Sequence, residues 1–175
     1  MDNQGLKSYR NFRGRDRGPR RESEFHKDPY KEKVLDLRRV TRVVAGGKRF
    51  RFRVTLVIGD ENGTIGIGIA KGLDVQSAVE KAKRAAKKNL FKIPLKERTI
   101  PHEVQAKFSA AKVLIKPAVP GHGLKAGGAV RVVLALAGVR DATAKCLGRT
   151  PNKLTNALAT AKALQQLKIK GDGSR

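Results

Sequence analysis

The chain has 175 residues and a formal net charge of +24, with 39 lysines and arginines against 15 aspartates and glutamates. A chain this basic repels itself when it is compact, so its composition predicts a negatively charged binding partner. Nucleic acid, an anionic membrane surface and an acidic protein are the candidate partners. The length allows one domain or two small ones. No apolar run approaches a membrane span and no apolar segment follows the start, so we expect neither a membrane helix nor a secretory signal. A single cysteine and 3 scattered histidines argue against a disulfide framework and against a zinc site.

The positive charge is spread along the whole chain. Its excess over negative charge is 3 in residues 1–30, 6 in 31–60, and 5 in each of 61–100, 101–140 and 141–175. A neutral domain with one basic tail would concentrate the excess in the tail. The even spread is typical of a chain that is embedded in nucleic acid and meets it on several sides.

Residues 1–30 predict a basic disordered tail, because the run from Arg10 to Arg21 mixes arginine, glycine and aspartate with almost nothing to bury. Its arginines are suited to follow phosphates and to order on binding. A tail that only keeps the chain soluble is the alternative.

Residues 31–94 predict a βββα unit. Phe50, Phe52, Val54, Leu56 and Ile58 alternate with Arg51, Arg53, Thr55 and Val57, which is the pattern of a strand with one apolar face. Asp60 to Gly63 is a hairpin turn, and the next strand again alternates, with Ile65, Ile67 and Ile69 on one face and Gly66, Gly68 and Ala70 on the other. We expect three antiparallel strands with an apolar face, covered by an alanine-rich helix that Asp74 caps, and a basic or bare face.

We predict a linker at residues 95–101, where the pairs Ile93-Pro94 and Ile100-Pro101 interrupt the regular patterns. A second, ββαβα unit is predicted at residues 102–170, followed by a short tail at 171–175. In the second unit Gly127-Gly128 opens a helix for which Gly138 suits the C′ position. Thr150-Pro151 predicts the start of the last helix, with threonine as the N-cap. The whole chain is therefore expected to be α+β.

The glycine clusters do not match the phosphate-binding motifs of nucleotide enzymes. Lys48 is followed by Arg49 where a P-loop needs serine or threonine, and Gly63, Gly66 and Gly68 have the wrong spacing for a dinucleotide fingerprint. Gly66 and Gly68 suit the close approach of another backbone or of a phosphate chain, or a simple bend in a strand. The glycines from Gly121 to Gly128, with Lys125, suit either an anion-binding nest or a flexible connector.

The residue types that carry catalysis do not form a constellation. Cys146 stands in an apolar stretch, so we expect a core thiol rather than a nucleophile. His122 has no partner at ligand spacing, so a surface histidine is favoured. Glu103, Asp141 and Asp172 are the acidic residues beyond position 100, and nothing pairs them. We therefore predict no enzyme activity, no cofactor and no metal.

The strongest local feature is the basic segment from Arg38 to Arg53. Gly46-Gly47 permits a tight loop tip that can enter a narrow space, and Arg42 and Lys48 flank it. Such a hairpin suits phosphates and RNA shape more than the edges of paired bases.

Val34 to Leu167 resembles the bacterial-type small-subunit ribosomal protein five family. The matching pieces are Arg39 to Phe52, Val57 to Gly63, Gly66 to Lys71, Ile100 to His102, Ala126 to Arg131, Ala137 to Val139 and Ala144-Lys145. The resemblance implies a double-stranded-RNA-binding-like first domain and a second domain with a left-handed βαβ crossover.

The same resemblance implies a structural protein that binds small-subunit rRNA near the junction of head and body, contributes to translational accuracy, and lies by the channel through which mRNA enters. The hairpin tip equivalent to Thr41–Lys48 would reach rRNA near the spectinomycin site. Together with the basic residues already described, this gives an expected rRNA-binding set: Arg38, Arg39, Thr41, Arg42, Val44, Ala45, Gly46, Gly47, Lys48, Arg49, Arg51, Arg53, Lys71 and Lys125.

The resemblance also implies protein partners. The strip Ser109, Ala110, Ala111 and Lys112 would face small-subunit protein four, and the second domain would meet small-subunit protein eight. Relatives carry arginine where Lys112 stands, and lysine cannot make the forked contact of arginine. We expect no homo-oligomer, no membrane partner, and a location on a cytoplasmic or organellar ribosome. A free RNA-binding or RNA-annealing module is the alternative, and a nucleic-acid-processing enzyme would need the constellation that the sequence lacks.

Overall fold

The structure is a computed structural model, and it describes residues 29–168. The predicted tails at 1–30 and 171–175 lie outside the described residues, apart from positions 29 and 30. The described elements are, in chain order, β1 (Lys31–Val44), β2 (Gly47–Gly59), β3 (Thr64–Gly72), α1 (Val75–Lys88), β4 (Leu90–Lys92), β5 (Val104–Phe108), β6 (Ala111–Pro117), β7 (Leu124–Lys125), α2 (Gly128–Leu136), β8 (Ala142–Cys146) and α3 (Lys153–Gln165). The predicted α+β class is confirmed.

The first sheet has the antiparallel order β1-β2-β3-β4. The βββα prediction is confirmed for its three long strands and its helix, and β4 adds a three-residue edge strand directly after the helix. The alternation along β2 places Val54, Leu56 and Ile58 on the face that α1 covers. These side chains form the helix-side core of the sheet with three alanines of α1.

Helix α1 lies very close to the sheet, and the residues of β3 that face it are small: three glycines and Ala70. Ala78, Ala82 and Ala86 are fully buried against the sheet. A Cβ atom at Gly66 would lie 2.5 Å from the carbonyl oxygen of Ala86, and one at Gly68 would collide with the carbonyl of Ala82. The expected close approach of another backbone is confirmed, and that backbone is α1. The placement of the β3 isoleucines on the helix-covered face was wrong, because there is no room for them there.

The isoleucines lie on the other face of the sheet, which packs against the second half of the chain. Ile65 and Ile67, with Val57 of β2, are buried in one core with residues of α2 and α3 such as Leu134 and Leu164. The prediction that the second face is basic or bare was therefore wrong for the part of the sheet nearest the β2–β3 turn. We call this common core the shared core.

The second sheet has the order β5-β6-β8-β7, in which β7 runs parallel to β8 and the other pairs are antiparallel. Helix α2 connects the two parallel strands, so β7, α2 and β8 form a βαβ unit. The predicted ββαβα order is confirmed with the two-residue strand β7 added, while the hand of the crossover stays a prediction.

Helix boundaries agree with the sequence at two ends and differ at a third. Asp74 occupies the N-cap of α1, and Gly138 follows the C-cap of α2 with φ of +91°. The N-cap of α3 is Asn152 and not Thr150, because the Asn152 side chain accepts from the Leu154 amide at 3.1 Å. The Thr150 hydroxyl instead accepts from the Asn152 amide at 3.3 Å, two residues earlier in the chain.

The two halves join backbone to backbone. In the β2–β3 turn, the amides of Glu61 and Gly63 donate to the carbonyl oxygens of Leu136 and Ala137 at 3.1 and 3.0 Å. These are carbonyls at the C-terminal end of α2, which have no partner within the helix. The carbonyl of Arg98, in the predicted linker, accepts from the amides of Arg140 and Asp141 at 2.9 and 3.0 Å. The connection between the halves is therefore folded onto both of them.

Candidate nucleic-acid interface

The register of the β1–β2 hairpin gathers the basic side chains on one face. Arg38 is paired with Arg53, Val40 with Arg51, and Arg42 with Arg49. Since directly opposed residues share a face and the side-chain period is two, all of these point the same way. Lys71 of β3 is opposite Arg53 and extends the set. We call the face formed by Arg38, Arg42, Arg49, Arg51, Arg53 and Lys71 the arginine face.

Like charges meet across the strands of the arginine face. An opposed pair of like charges destabilises a sheet by about 0.2–1 kcal/mol, and three such pairs occur here: Arg38 with Arg53, Arg42 with Arg49, and Arg53 with Lys71. Only Arg38 has a carboxylate to offset it among the described residues, since its Nε lies 2.6 Å from Asp36. Arg42, Arg49 and the remaining cations of this face form no ion pair within the described part of the chain. Within residues 29–168, the positive charge of this face is therefore largely without a neutralising carboxylate.

A groove runs along the arginine face toward the tip of the hairpin. It encloses about 480 Å³ and is lined by Val40, Thr41, Arg42, Val44, Arg49, Arg51 and Lys71. Its lining combines two valines with four cationic side chains, so a chain of phosphates can lie along it. Phosphate contacts of this kind fix position and carry most of the affinity for nucleic acid without reading base sequence.

Two basic residues of the expected RNA-binding set lie on the opposite face of the hairpin. Arg39 is paired with Phe52 and Lys48 with Val43, so neither belongs to the arginine face. The Arg39 guanidinium lies 4.6 Å from the centre of the Phe50 ring, a cation–π contact that holds the side chain flat on the strand. The hairpin therefore presents charge on both sides.

The hairpin tip is narrow and open. Ala45, Gly46 and Gly47 are exposed, and Cβ atoms at the two glycines would meet nothing within 4 Å. Gly47 has φ of +128°, which side-chain-bearing residues rarely adopt. The glycines are needed here for the turn and for a slim profile, not for packing inside the chain.

Lys125 lies on β7 in the second sheet and is not among the residues that line this groove. The proposed anion nest beside it is filled in part by the protein itself. The Gly123 amide donates to the Asp141 carboxylate at 2.7 Å, and Asp141 is only 4% exposed. That amide is not free for a phosphate, so the connector interpretation fits this part of the loop better.

The strip expected to face a protein partner forms the β5–β6 turn. Ser109, Ala110 and Lys112 are exposed, and Ser109 has φ of +52°. Ala111 is fully buried in the shared core, so its side chain is not part of the surface. The Lys112 carbonyl accepts from the Leu147 amide at 2.8 Å, which ties the turn to the loop after β8.

Beside this turn lies a second groove, which the sequence did not predict. It encloses about 580 Å³ between the two halves and is lined by Leu90, Phe91, Phe108 and Leu158, with Ile67, Asn89, Ala161, Lys162 and Gln165. Phe108 is 40% exposed at the end of β5. Residues of β4 and α3, which are far apart in the sequence, line it together, so no local pattern could have indicated it.

The candidate catalytic residues are isolated. Cys146 is exposed at the end of β8, so the expectation of a core thiol was wrong. Partial burial raises the pKa of its thiol, which disfavours the nucleophilic thiolate. The nearest polar partner of His122 is the Thr143 hydroxyl at 3.4 Å. Between residues 29 and 168 there is no group of three metal-ligating side chains, and no helix there is long and apolar enough to cross a membrane.

Comparison with known families matches both halves of the chain. A family model described as ribosomal protein S5, N-terminal domain, matches residues 30–94. A second model, described as ribosomal protein S5, C-terminal domain, matches residues 106–172. The first match covers helix α1 and the first sheet, which carries the arginine face. The second match covers the βαβ unit and α3.

Proposed function

We propose a function from the premise that the chain belongs to the ribosomal protein S5 family. Members are structural, rRNA-binding proteins of the small ribosomal subunit and are not enzymes. The proposal concerns which surfaces do the binding: the arginine face and the hairpin tip hold small-subunit rRNA near the junction of head and body. The β5–β6 turn faces a neighbouring ribosomal protein.

The uncompensated charge of the arginine face carries this proposal. Arg42, Arg49 and Arg51 are exposed, share one face and lack a carboxylate partner among the described residues. Their mutual repulsion disappears when phosphates lie between them, and the counterions released on binding add to the affinity. Binding RNA therefore relieves a cost that is built into the isolated chain.

The partners proposed for the hairpin tip and for the β5–β6 turn are supported by the family resemblance and by the exposure of these two segments. The open tip around Gly46 has the shape to enter a narrow rRNA cleft such as the spectinomycin site. The exposed Ser109, Ala110 and Lys112 suit a contact with small-subunit protein four, through which the chain would affect translational accuracy. Contacts of the second half with protein eight, and a position by the channel through which mRNA enters, complete the proposed role.

The first experiment separates binding by the arginine face from binding by general charge. Arg49 and Arg51 are both replaced by glutamine, and Lys107 and Lys162 by glutamine in a control with the same change in charge. We expect the arginine variant to bind small-subunit rRNA roughly tenfold or more weakly, with the slope of log affinity against log salt reduced by about 0.7–0.9 for each lost phosphate contact. The control should stay close to the unchanged chain.

Sedimentation of cell extract tests the assignment to the subunit. The unchanged chain should travel with small subunits, and the Arg49→Gln, Arg51→Gln variant should be displaced toward the top of the gradient. An unchanged chain that stays at the top and anneals duplex RNA there would favour the free RNA-binding module instead. Equal affinity of both variants would show that the arginine face is not the site.

The tip is tested by the drug response. Lys48→Glu, or deletion of Gly46 and Gly47, should alter spectinomycin sensitivity and weaken protection of rRNA in footprints. The melting temperature of the isolated Lys48→Glu chain should hardly change, because Lys48 is exposed and a Cβ atom at either neighbouring glycine would meet nothing within 4 Å. Unchanged drug response together with unchanged assembly would contradict the role assigned to the tip.

A further inference from the structure

Helix α1 carries a second row of cations on its outer side. Lys81, Arg84 and Lys88 follow one another at i, i+3 and i+7, so they line a single stripe of the helix. All three are exposed, whereas Ala78 and Ala82 turn inward and are fully buried against the sheet. We call these three residues the helix stripe.

The three cations of the helix stripe form no ion pair among the described residues, although the exposed Glu80 stands four residues before Arg84. Lys83, on another side of the helix, lies 3.2 Å from the Glu32 carboxylate of β1, but no ion pair is formed by the three stripe residues in the described part of the chain. Arg84 and Lys88 stand at i and i+4, where like charges destabilise a helix by about 0.2–0.5 kcal/mol. The stripe therefore resembles the arginine face, because its exposed cations lie side by side and form no ion pair with the described residues.

The two basic surfaces point in opposite directions. Helix α1 packs on the face of the sheet that carries Leu56 and Ile58, whereas the arginine face belongs to the side of Thr55 and Val57. A helix of about 10–12 Å diameter and a sheet lie between them. A rigid duplex that lies against one surface cannot also lie against the other.

The composition of the helix stripe favours RNA over a protein partner. Its side chains are two lysines and one arginine, and lysine is depleted at the centre of protein interfaces. Lys81 and Lys88 are about 10 Å apart along the axis at 1.5 Å per residue, a span over which several phosphates of one strand can be met. No large apolar side chain lies within the stripe to anchor a protein.

We propose that the helix stripe is a second RNA-binding surface, so that the first half of the chain bridges two separate RNA segments, one on the arginine face and one on α1. The inference rests on the proposed function for the first of these segments. Its new content is the bivalence: the sheet and its helix act as a spacer between RNA backbones.

The test uses the full chain and two short RNA duplexes that carry different fluorophores. Bridging is measured as energy transfer or as a complex that contains both labels, and total RNA binding is measured in the same titration. One variant replaces Lys81, Arg84 and Lys88 with glutamine, which removes charge and keeps helix propensity. The matched control replaces Lys107, Lys145 and Lys162, which are exposed and lie outside both surfaces.

We expect the unchanged chain and the control to bridge the duplexes. The stripe variant should still bind one duplex through the arginine face, while its bridged fraction falls by roughly tenfold. The Arg49→Gln, Arg51→Gln variant should show the mirrored result, with one duplex held through α1. Circular dichroism checks that each variant keeps its helix content.

Other results would contradict either the helix stripe or the arginine face as an RNA-binding surface. If the stripe variant bridges as well as the control, the second surface does not exist. If the arginine variant binds and bridges normally while the stripe variant does not, the proposed site on the arginine face is wrong and the stripe stands. In reconstituted subunits, loss of cross-links to a neighbouring protein with unchanged rRNA footprints would show that the stripe binds protein, which contradicts the inference.

Discussion

The two ends of one face of strand β2 behave in opposite ways. Near the hairpin tip this face carries Arg51 and Arg53 and is open to solvent, whereas four residues further on it carries Thr55 and Val57 and is buried in the shared core. Both ends belong to one unbroken strand, although the register of β1 against β2 shifts between Val34 and Asp36, opposite Leu56 and Thr55. What differs is whether the second half of the chain covers the strand. The change from arginine to valine along one face thus marks where intramolecular packing ends and the surface available to a partner begins.

The buried end of β2 stabilises the fold of the free chain, whereas the open end destabilises it. Full burial of an aliphatic side chain such as Val57 stabilises the fold by about 1.5–3 kcal/mol. The opposed pair of Arg42 and Arg49 costs a few tenths of a kcal/mol up to about 1 kcal/mol in the free chain. The buried end therefore maintains the strand geometry that the open end requires in order to hold its charges in a row.

The largest effect is expected when the buried end is made to resemble the open end. Val57→Lys places an unpaired charge in the shared core, and we expect it to reduce the free energy of unfolding by at least ~3 kcal/mol. Val43→Lys is the exposed control, since Val43 is 71% exposed beside the tip; it places a like charge opposite Lys48, so it should reduce stability by no more than ~1 kcal/mol. Urea denaturation of both variants measures the difference. Equal stability would mean that the second half does not seal this face in solution.

A smaller effect is expected at the turn that links the buried end to α2. The Asp60 carboxylate accepts from the amides of Asn62 and Thr64, both at 2.8 Å. Asp60→Ala removes both bonds, and because the site is partly open to solvent we expect a loss of about 1 kcal/mol, measured as a shift of the urea midpoint. Asp60→Asn keeps an acceptor and should recover part of it.

The same turn should make stability depend on pH. Burial raises the pKa of Asp60, but the bonds from the Asn62 and Thr64 amides outweigh it and hold the pKa below its ordinary value of 3.8. The stabilisation is therefore fully present above that value and is lost as the pH falls below it, through the lowered pKa. Asp60→Asn should flatten this part of the acid profile. A profile that the substitution leaves unchanged would show that the turn does not contribute.

The smallest effect has the opposite sign and belongs to the open end. Arg49→Glu turns the opposed pair with Arg42 from like to unlike charge, so the isolated chain should become more stable by about 0.2–1 kcal/mol. Affinity for small-subunit rRNA should fall in the same variant. Arg49→Gln, which removes repulsion without adding attraction, should lie between. Loss of stability in Arg49→Glu would contradict the view that this end is strained by its own charge.

The alternation of residues predicted the strands well and the assignment of faces less well. Val54, Leu56 and Ile58 were placed correctly because apolar residues alternate with polar ones along β2. In β3, isoleucine alternates with glycine, and hydrophobicity alone directs Ile65 and Ile67 toward the helix. The deciding quantity is the distance between α1 and the sheet, which is so short that only Gly66 and Gly68 fit beneath the helix. Such a distance is set by tertiary packing and is not written in a local pattern.

The candidate site was predictable as a set of residues but not as an arrangement. Composition and the glycine pair identified the basic hairpin from Arg38 to Arg53. The division of that set into the arginine face and the opposite side with Arg39 follows from the register, which places Arg42 opposite Arg49. Ala111 and Cys146 lie on β6 and β8, the two interior strands of the second sheet, yet Ala111 is buried and Cys146 at the end of β8 is exposed. Their burial depends on tertiary packing against the sheet, which the sequence did not establish.

The junction between the halves has a mechanical consequence. Its closest approaches join main-chain atoms, with the Glu61 and Gly63 amides on the carbonyls of Leu136 and Ala137 and with Gly138 so near Glu61 that a side chain there would collide with it. Hydrogen bonds of fixed length between two backbones have little slack, unlike flexible side chains that can slide past one another. We therefore expect the hairpin tip and the β5–β6 turn to move together as parts of one rigid body. A displacement of one of them should then rotate the other, and the junction between the halves should not bend.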